Sequence, residues 1–144
     1  MTLHGTYDPD NIFAKMLRGD IPCVKVFEDD EALAFMDIFP QSKGHTLVIP
    51  KDVTARNLLD MPTFALAPYM RRVQQVAQAV EKALTPDGIV VTQFNGEVAG
   101  QTVFHLHFHI IPRWSDAPIA RHGSAGQADM AELETLAEQI AAEF

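Results

Sequence analysis

The chain has little cysteine, little basic charge and no long apolar run, and each shortage excludes a class of protein. Cys23 is the only cysteine among 144 residues, so no disulfide can form within the chain and a reducing, cytoplasmic location is expected. Lysine and arginine number 11 against 19 acidic residues, for a formal net charge of −8, which disfavours sequence-independent binding of nucleic acid. No apolar run could span a bilayer, so we expect no membrane partner, and the first residues do not resemble a signal peptide.

The composition predicts one globular domain behind a short arm. With 47% hydrophobic residues, a chain of this length can bury a substantial core. Residues 1–10 show no periodic pattern and are expected to form a flexible N-terminal arm. Residues 11–144 are expected to form a single domain, because neither a repeat nor a Gly/Ser-rich linker divides them.

The spacing of apolar residues predicts two helices in the first part of the domain. A short helix over Asn11–Leu17 is expected to be capped by Asp8 or Asp10 and stopped by Gly19. Apolar residues then recur every three or four positions over Thr63–Leu84, which predicts a long amphipathic helix.

Five strands are predicted around the long helix. Their sequences are VKVFED, ALAFMD, HTLVIP, IVVTQF and a histidine-containing segment. Three precede the long helix and two follow it, an order that predicts an α+β fold with a mainly antiparallel sheet. The long helix would cover one sheet face, the other face would carry the site, and a C-terminal helix is expected at about residues 128–144.

The segment Val103–Arg113, VFHLHFHIIPR, places His105, His107 and His109 at alternate positions. In a strand, this spacing puts the three imidazoles on one face and the intervening apolar side chains on the other. Neighbouring rings would then lie about 6.6–6.8 Å apart along the strand. Coincidence is a poor explanation of so regular a pattern, so we expect a chemical site here.

The row of histidines has two chemical interpretations, a metal site and a nucleophilic site. Two histidines at alternate strand positions can reach one zinc ion, but the carboxylates that usually orient such ligands are sparse, since only Glu97 and Asp116 lie near. Nucleophilic catalysis is favoured, because a neutral imidazole at His107 can attack phosphorus. His105 and His109 would then donate hydrogen bonds to the phosphoryl oxygens.

The loop before the histidines supports the nucleophilic interpretation. Its sequence NGEVAGQTV contains Gly96 and Gly100, where a ligand can approach the main chain closely. Gln101 and Thr102 add an amide and a hydroxyl, so the loop could cradle a phosphate. Considered alone, the same glycines are better explained by an ordinary Asn-Gly turn, and the sequence is not that of a Walker loop.

This part of the chain resembles the signature of the histidine-triad (HIT) superfamily, in which three histidines alternate with apolar residues. GQTVFHLHFHIIPR fits every triad position, and IFAKMLRGDIPCVKVFEDDEALAFMDIFPQSKGHTLVIPK is similar to the family's N-terminal half. The resemblance implies the HIT fold, a homodimer whose sheets join across the interface, a purine nucleotide substrate and no cofactor.

The resemblance also implies a role for each site residue. His107 would attack the α-phosphate and form a nucleotidyl-histidine intermediate that water then hydrolyses. His105 and His109 would flank it, with His45 as a fourth, supporting histidine. The expected nucleotide-binding residues are Asp37 at the ribose hydroxyls, Ile38 at the base, and Gly100, Gln101, Thr102 and Val103 at the phosphate-contacting turn, where Thr102 would protonate the leaving group.

The third triad position distinguishes the branches of the family that this sequence resembles. Nucleotidyl transferases of the family carry glutamine there, so His109 favours hydrolysis. The leading expectation is a hydrolase of adenosine nucleotide phosphoramidates or related nucleotidyl conjugates, as in Hint-type members. A Fhit-type dinucleoside polyphosphate hydrolase and a nucleotide-binding module with little turnover are the alternatives.

Two features of the sequence depart from the pattern of the family. Many bacterial members hold a structural zinc ion with paired cysteines and a later histidine, but this chain has Asn11, Ala14 and Asp52 at or near those positions. We therefore expect no structural zinc and no other bound metal. Phe94 stands where the family usually has Asn, Gln or Ala, and Asn95 would point the other way along a strand.

Overall fold

The computed structural model describes residues 3–118 and 126–144. Its helices are α1 (Ile12–Arg18), α2 (Thr63–Leu84) and α3 (Met130–Ala141), and its strands are β1 (Lys25–Glu28), β2 (Ala32–Met36), β3 (Thr46–Pro50), β4 (Gly88–Thr92) and β5 (Phe108–Arg113). Two short 3-10 turns span Leu58–Asp60 and Glu97–Ala99. None of the helices in these described ranges is long and apolar enough to cross a membrane.

The five strands form one antiparallel sheet in the order β1-β2-β3-β5-β4. This arrangement confirms the predicted α+β fold and its mainly antiparallel sheet. The last strand in sequence, β5, lies between β3 and β4, so the end of the histidine segment is placed beside the centre of the sheet. Strands β1 and β4 form the two edges.

Both faces of the central strands are covered, because every residue of β2 and β3 is buried. Helices α2 and α3 pack on one face, against residues that include Ala34, Val48 and Ile110. On the other face, Phe13 of α1 packs against Phe35 and its neighbours. The face that carries the histidines is therefore partly covered by α1, whereas the sequence predicted a cover on one face alone.

Helix α1 begins and ends at residues with specific capping roles. Oδ1 of Asn11 accepts hydrogen bonds from the main-chain nitrogens of Phe13 and Ala14 at 3.0 and 2.9 Å. The expected cap at Asp8 or Asp10 is therefore wrong, because the residue directly before the helix supplies the oxygen. Gly19 ends the helix as predicted, with a φ of 80° that favours glycine.

The N-terminal arm lies against the domain along its described part, residues 3–10. The carbonyl of Leu3 accepts a 2.8 Å hydrogen bond from Nδ2 of Asn57. The hydroxyl of Tyr7 lies 2.6 Å from Nδ1 of His105. These two contacts anchor an arm that the absence of periodicity had predicted to be flexible.

Candidate active site

The histidine segment is a regular strand only from Phe108 onward. Its ladder with β3 ends at the Val48–Phe108 pair, and the main-chain nitrogen of Leu106 bonds instead to the carbonyl of Ala55. His105 and His107 therefore precede the strand, which corrects the expectation of three histidines on one regular strand. The predicted alternation of faces holds, since Leu106 lies in the core beneath α2 while His107 lines a cleft on the opposite face.

His45, the residue directly before β3, is hydrogen-bonded to the third triad histidine. The main-chain nitrogen of Gln41 donates to Nδ1 of His45 at 3.0 Å, so in the neutral ring the proton lies on Nε2. That Nε2 is 3.0 Å from Nδ1 of His109 and 3.5 Å from Oδ2 of Asp37. His109 accepts at Nδ1 and therefore keeps its own proton on Nε2.

His107 has its tautomer set by a main-chain oxygen. Its Nδ1 lies 2.7 Å from the carbonyl oxygen of His105, and because a carbonyl only accepts, Nδ1 carries the proton. The lone pair of the neutral ring is therefore on Nε2. The ring of Phe13 packs edge-on against His107, and the ring of His109 lies 5.0 Å away between centroids.

His105 is enclosed, with a relative exposure of 1%. Its Nε2 donates to the carbonyl of Pro50 at 3.1 Å, and its Nδ1 accepts from the hydroxyl of Tyr7. Burial lowers the pKa of His105 from 6.5 to about 4, so the ring is neutral at physiological pH. With both nitrogens bonded inside the protein, His105 does not fit the role of phosphoryl donor expected from the spacing.

A cleft of about 200 Å³ lies over this face of the sheet. Of the residues predicted to form the site, six line it together: Asp37, Ile38, Thr102, Val103, His107 and His109. Apolar side chains supply most of the remaining wall, among them Phe13, Met16 and Leu47. His45 and His105 lie behind this lining as supports, and so does Gln101, since all three are almost fully buried.

Gln101 holds the turn before the triad in shape. Its side-chain nitrogen donates to the carbonyls of Arg56 and Val103 at 2.7 and 3.0 Å, and its side-chain oxygen accepts from the main-chain nitrogen of Gly96 at 2.8 Å. These bonds occupy the amide, so the side chain shapes the turn and does not reach a phosphate. Gly100 has a φ of 114°, which favours glycine at that position.

The comparisons with known proteins agree with this geometry. Residues 18–116 match the family model described as the HIT domain. The chain belongs to the HIT family. A solved HIT-like protein from Bartonella henselae superposes with a TM-score of 0.90 and 49% identity, covering 97% of this chain and 100% of that one.

Two relatives of this HIT domain have names that describe reactions. The adenosine 5'-monophosphoramidase of Schizosaccharomyces pombe is 38% identical over 145 residues, covering 92% of this chain and 97% of the relative. The adenylylsulfatase of Arabidopsis thaliana is 37% identical over 123 residues, covering 81% and 62% respectively. Both names describe cleavage of an adenosine nucleotide conjugate.

Phe94 is the departure from the HIT pattern that reaches the site. Its ring centroid lies 5.4 Å from that of His109, and its ring atoms lie 3.5 Å from where a side chain on Gly100 would begin. Because β4 ends at Thr92, Phe94 lies in a loop. Oδ1 of Asn95 accepts from the main-chain nitrogen of Leu58, so that amide is not directed at His109.

One group of described residues has the spacing of metal ligands. The nearest side-chain atoms of Asp37, His45 and His109 lie within 4.8 Å of one another. In this HIT domain the two histidines bond to each other directly, and Oδ1 of Asp37 accepts from the main-chain nitrogen of Phe39 at 2.8 Å. The absence of a bound metal stays a prediction.

Proposed function

We propose that this HIT protein is a hydrolase that cleaves adenosine nucleotide phosphoramidates, or related adenylyl conjugates, at the α-phosphate. The observation that carries the proposal is the bond from Nδ1 of His107 to the carbonyl of His105. It places the lone pair of this cleft-lining ring on Nε2, the nitrogen that acts as the nucleophile in the proposed reaction. The names of the two relatives support an adenylyl substrate.

In the first step, Nε2 of His107 attacks the α-phosphorus, and the bond from phosphorus to the leaving nitrogen breaks. The imidazole becomes a phosphoryl-imidazolium, whose positive charge is stabilised because Nδ1–H donates to the carbonyl of His105. The departing amine takes a proton, for which the hydroxyl of Thr102 in the cleft wall is the proposed donor. The product of this step is a nucleotidyl-His107 intermediate and a free amine.

In the second step, water attacks the same phosphorus, its proton passes to the Thr102 oxygen that donated in the first step, and the bond to Nε2 of His107 breaks. The ring regains its lone pair while Nδ1 keeps its proton, and a nucleoside monophosphate is released. During both steps, Nε2–H of His109 is the proposed donor to a non-bridging phosphoryl oxygen. His45 holds that ring in the required tautomer through the 3.0 Å bond to Nδ1.

The nucleotide would lie across the cleft with its phosphate at the histidines. Asp37, at the end of β2, is the proposed acceptor for the ribose hydroxyls, and its carboxylate lies beside His45. The apolar wall formed by Met16, Phe35 and Ile38 is the proposed contact of the purine. An acidic protein can bind an anionic substrate here because donors aimed at the phosphate replace a basic surface.

Assays with adenosine 5'-phosphoramidate test this function. We expect turnover by the wild-type protein and its loss in His107→Ala, with AMP still bound. The matched control His4→Ala alters an exposed histidine in the arm and should keep wild-type turnover. Wild-type turnover in His107→Ala would contradict the assignment of the nucleophile.

Two substrate comparisons separate the alternatives. Faster cleavage of a dinucleoside polyphosphate than of the phosphoramidate would place the protein with Fhit-type hydrolases. AMP binding without hydrolysis of any adenylyl conjugate would favour a nucleotide-binding module and overturn the hydrolase proposal.

A further inference from the structure

A second and larger cavity, of about 620 Å³, adjoins the candidate nucleotide cleft. The two cavities share the lining residues Met16, Phe35, Met36 and Ile38. The larger cavity lies where β1 begins and β2 ends, so helix α3, which packs on the opposite sheet face, can form its far wall. The chain leading into that helix is fixed where the main-chain nitrogen of Ala128 donates to the carbonyl of Ile38 at 2.9 Å. No step of the proposed hydrolysis uses this cavity.

The register of the sheet gives the direction from the histidines to the larger cavity. His109 pairs with Leu47, Leu47 with Phe35, and Phe35 with Lys25, so these residues form a row across four neighbouring strands. Neighbouring strands lie about 4.8 Å apart, which places Lys25 roughly 14 Å from His109 along the row. His109 and Leu47 line the nucleotide cleft, Phe35 lines both cavities, and Lys25 lines the larger one.

This order along the row limits what the larger cavity can receive. In the proposed binding mode, with the phosphate at His107 and His109 and the ribose at Asp37, the base would lie over Leu47 and Phe35. The larger cavity then lies beyond the edge of the base that is remote from the ribose. In adenine, that edge carries the exocyclic amine, so a substituent on this amine would extend into the cavity.

The lining of the larger cavity favours an apolar, ring-containing substituent. Met16, Met36 and Met130 contribute flexible thioethers, which adapt to a ligand and make favourable contacts with aromatic rings. Glu134 and Glu138 also line the cavity, and their negative charge makes a second anionic nucleotide a poor occupant.

We propose that the larger cavity is a subsite for an apolar substituent on the exocyclic amine of an adenine nucleotide. This inference rests on the proposed function, because that function places the phosphate at His107. It assigns to α3 the role of completing a specificity pocket.

Calorimetric titration with AMP and with N6-benzyl-AMP tests the subsite. We expect N6-benzyl-AMP to bind the wild-type protein at least about tenfold more tightly than AMP, because the benzyl group buries apolar surface. Ala141→Trp fills the cavity from the last turn of α3 and should abolish this advantage while AMP affinity stays unchanged. Ala142→Trp, one residue further and outside the lining, is the matched control and should keep it.

Equal or weaker binding of N6-benzyl-AMP to the wild-type protein would overturn the subsite, and so would an advantage that persists in Ala141→Trp. If Ala141→Trp loses AMP binding, Glu138→Trp repeats the test from an exposed position in the same lining. Failure of the wild-type protein to bind AMP would overturn the nucleotide site and the subsite together. AMP binding without turnover of adenosine 5'-phosphoramidate would overturn the hydrolase proposal alone.

Discussion

The hydroxyl of Tyr7 donates a 2.6 Å hydrogen bond to Nδ1 of His105, which joins the N-terminal arm to the first triad histidine. Nε2 of the same ring donates to the carbonyl of Pro50, so His105 is held between the arm and the end of β3. The carbonyl of His105 in turn accepts from Nδ1 of His107. The arm is thus two hydrogen bonds from the proposed nucleophile.

Tyr7→Phe should lower kcat while KM stays near the wild-type value. Removal of the hydroxyl leaves buried Nδ1 of His105 without its donor, at a cost of about 1–3 kcal/mol in the free energy of unfolding, and loosens the residue that orients His107. Tyr69→Phe is the matched control, because it removes a buried hydroxyl that donates to Val48 at 2.7 Å, beneath α2. Urea unfolding and steady-state kinetics on both variants check the prediction. If Tyr7→Phe and Tyr69→Phe lose the same stability and have the same kcat, Tyr7 has no positioning role.

The free energy of unfolding should fall as pH drops from about 6.5 towards 4. Burial lowers the pKa of His105 to about 4 in the folded protein, whereas the unfolded ring titrates near 6.5. The unfolded chain therefore binds more protons in this window, so stability is full above it and declines by up to about 3 kcal/mol on acidification. Chemical unfolding at several pH values should show this slope in the wild-type protein and in the control His4→Gln. The slope should disappear in His105→Gln, and an unchanged slope there would exclude His105 as its source.

His45→Leu should reduce kcat by roughly tenfold or more with AMP affinity maintained. The variant removes the Nε2 donor to His109, so the proton on the opposite nitrogen of His109 is no longer fixed towards the phosphate. His45→Gln is the conservative control, since its amide can donate to His109 and accept from Gln41. Activity in His45→Leu equal to that of His45→Gln would show that the donor is not needed.

Two copies of the chain should pair along β4, as the resemblance to the family led us to expect. Among the described residues, β4 forms an edge of the sheet and its Val91 is 47% exposed, so its apolar side chain and outer edge can pair with a second copy. Val91→Lys should shift the mass measured by analytical ultracentrifugation from dimer to monomer. Asp30→Lys, at the turn beside the opposite edge, should stay dimeric, and a monomeric wild-type protein would contradict the expectation.

Local pattern was sufficient to predict the elements that carry the site. The bounds of α2 agree with the spacing of its apolar residues, and the stop of α1 at Gly19 agrees with the conformational freedom of glycine. The alternation of histidines with apolar residues correctly placed His107 on the opposite face from Leu106. Each of these properties depends on neighbours a few residues away, so the sequence contains the information directly.

Local sequence pattern was enough to predict the α+β fold, the strand and helix pattern and six of the residues that line the cleft. Which histidines face that cleft and which support it depends on the folded chain, because the residues that hydrogen-bond to the supporting histidines are remote in sequence. Tyr7 is 98 positions from His105, and His45 is 64 positions from His109. Hydrogen bonds between such residues depend on how the sheet and the arm assemble, and no local periodicity encodes them.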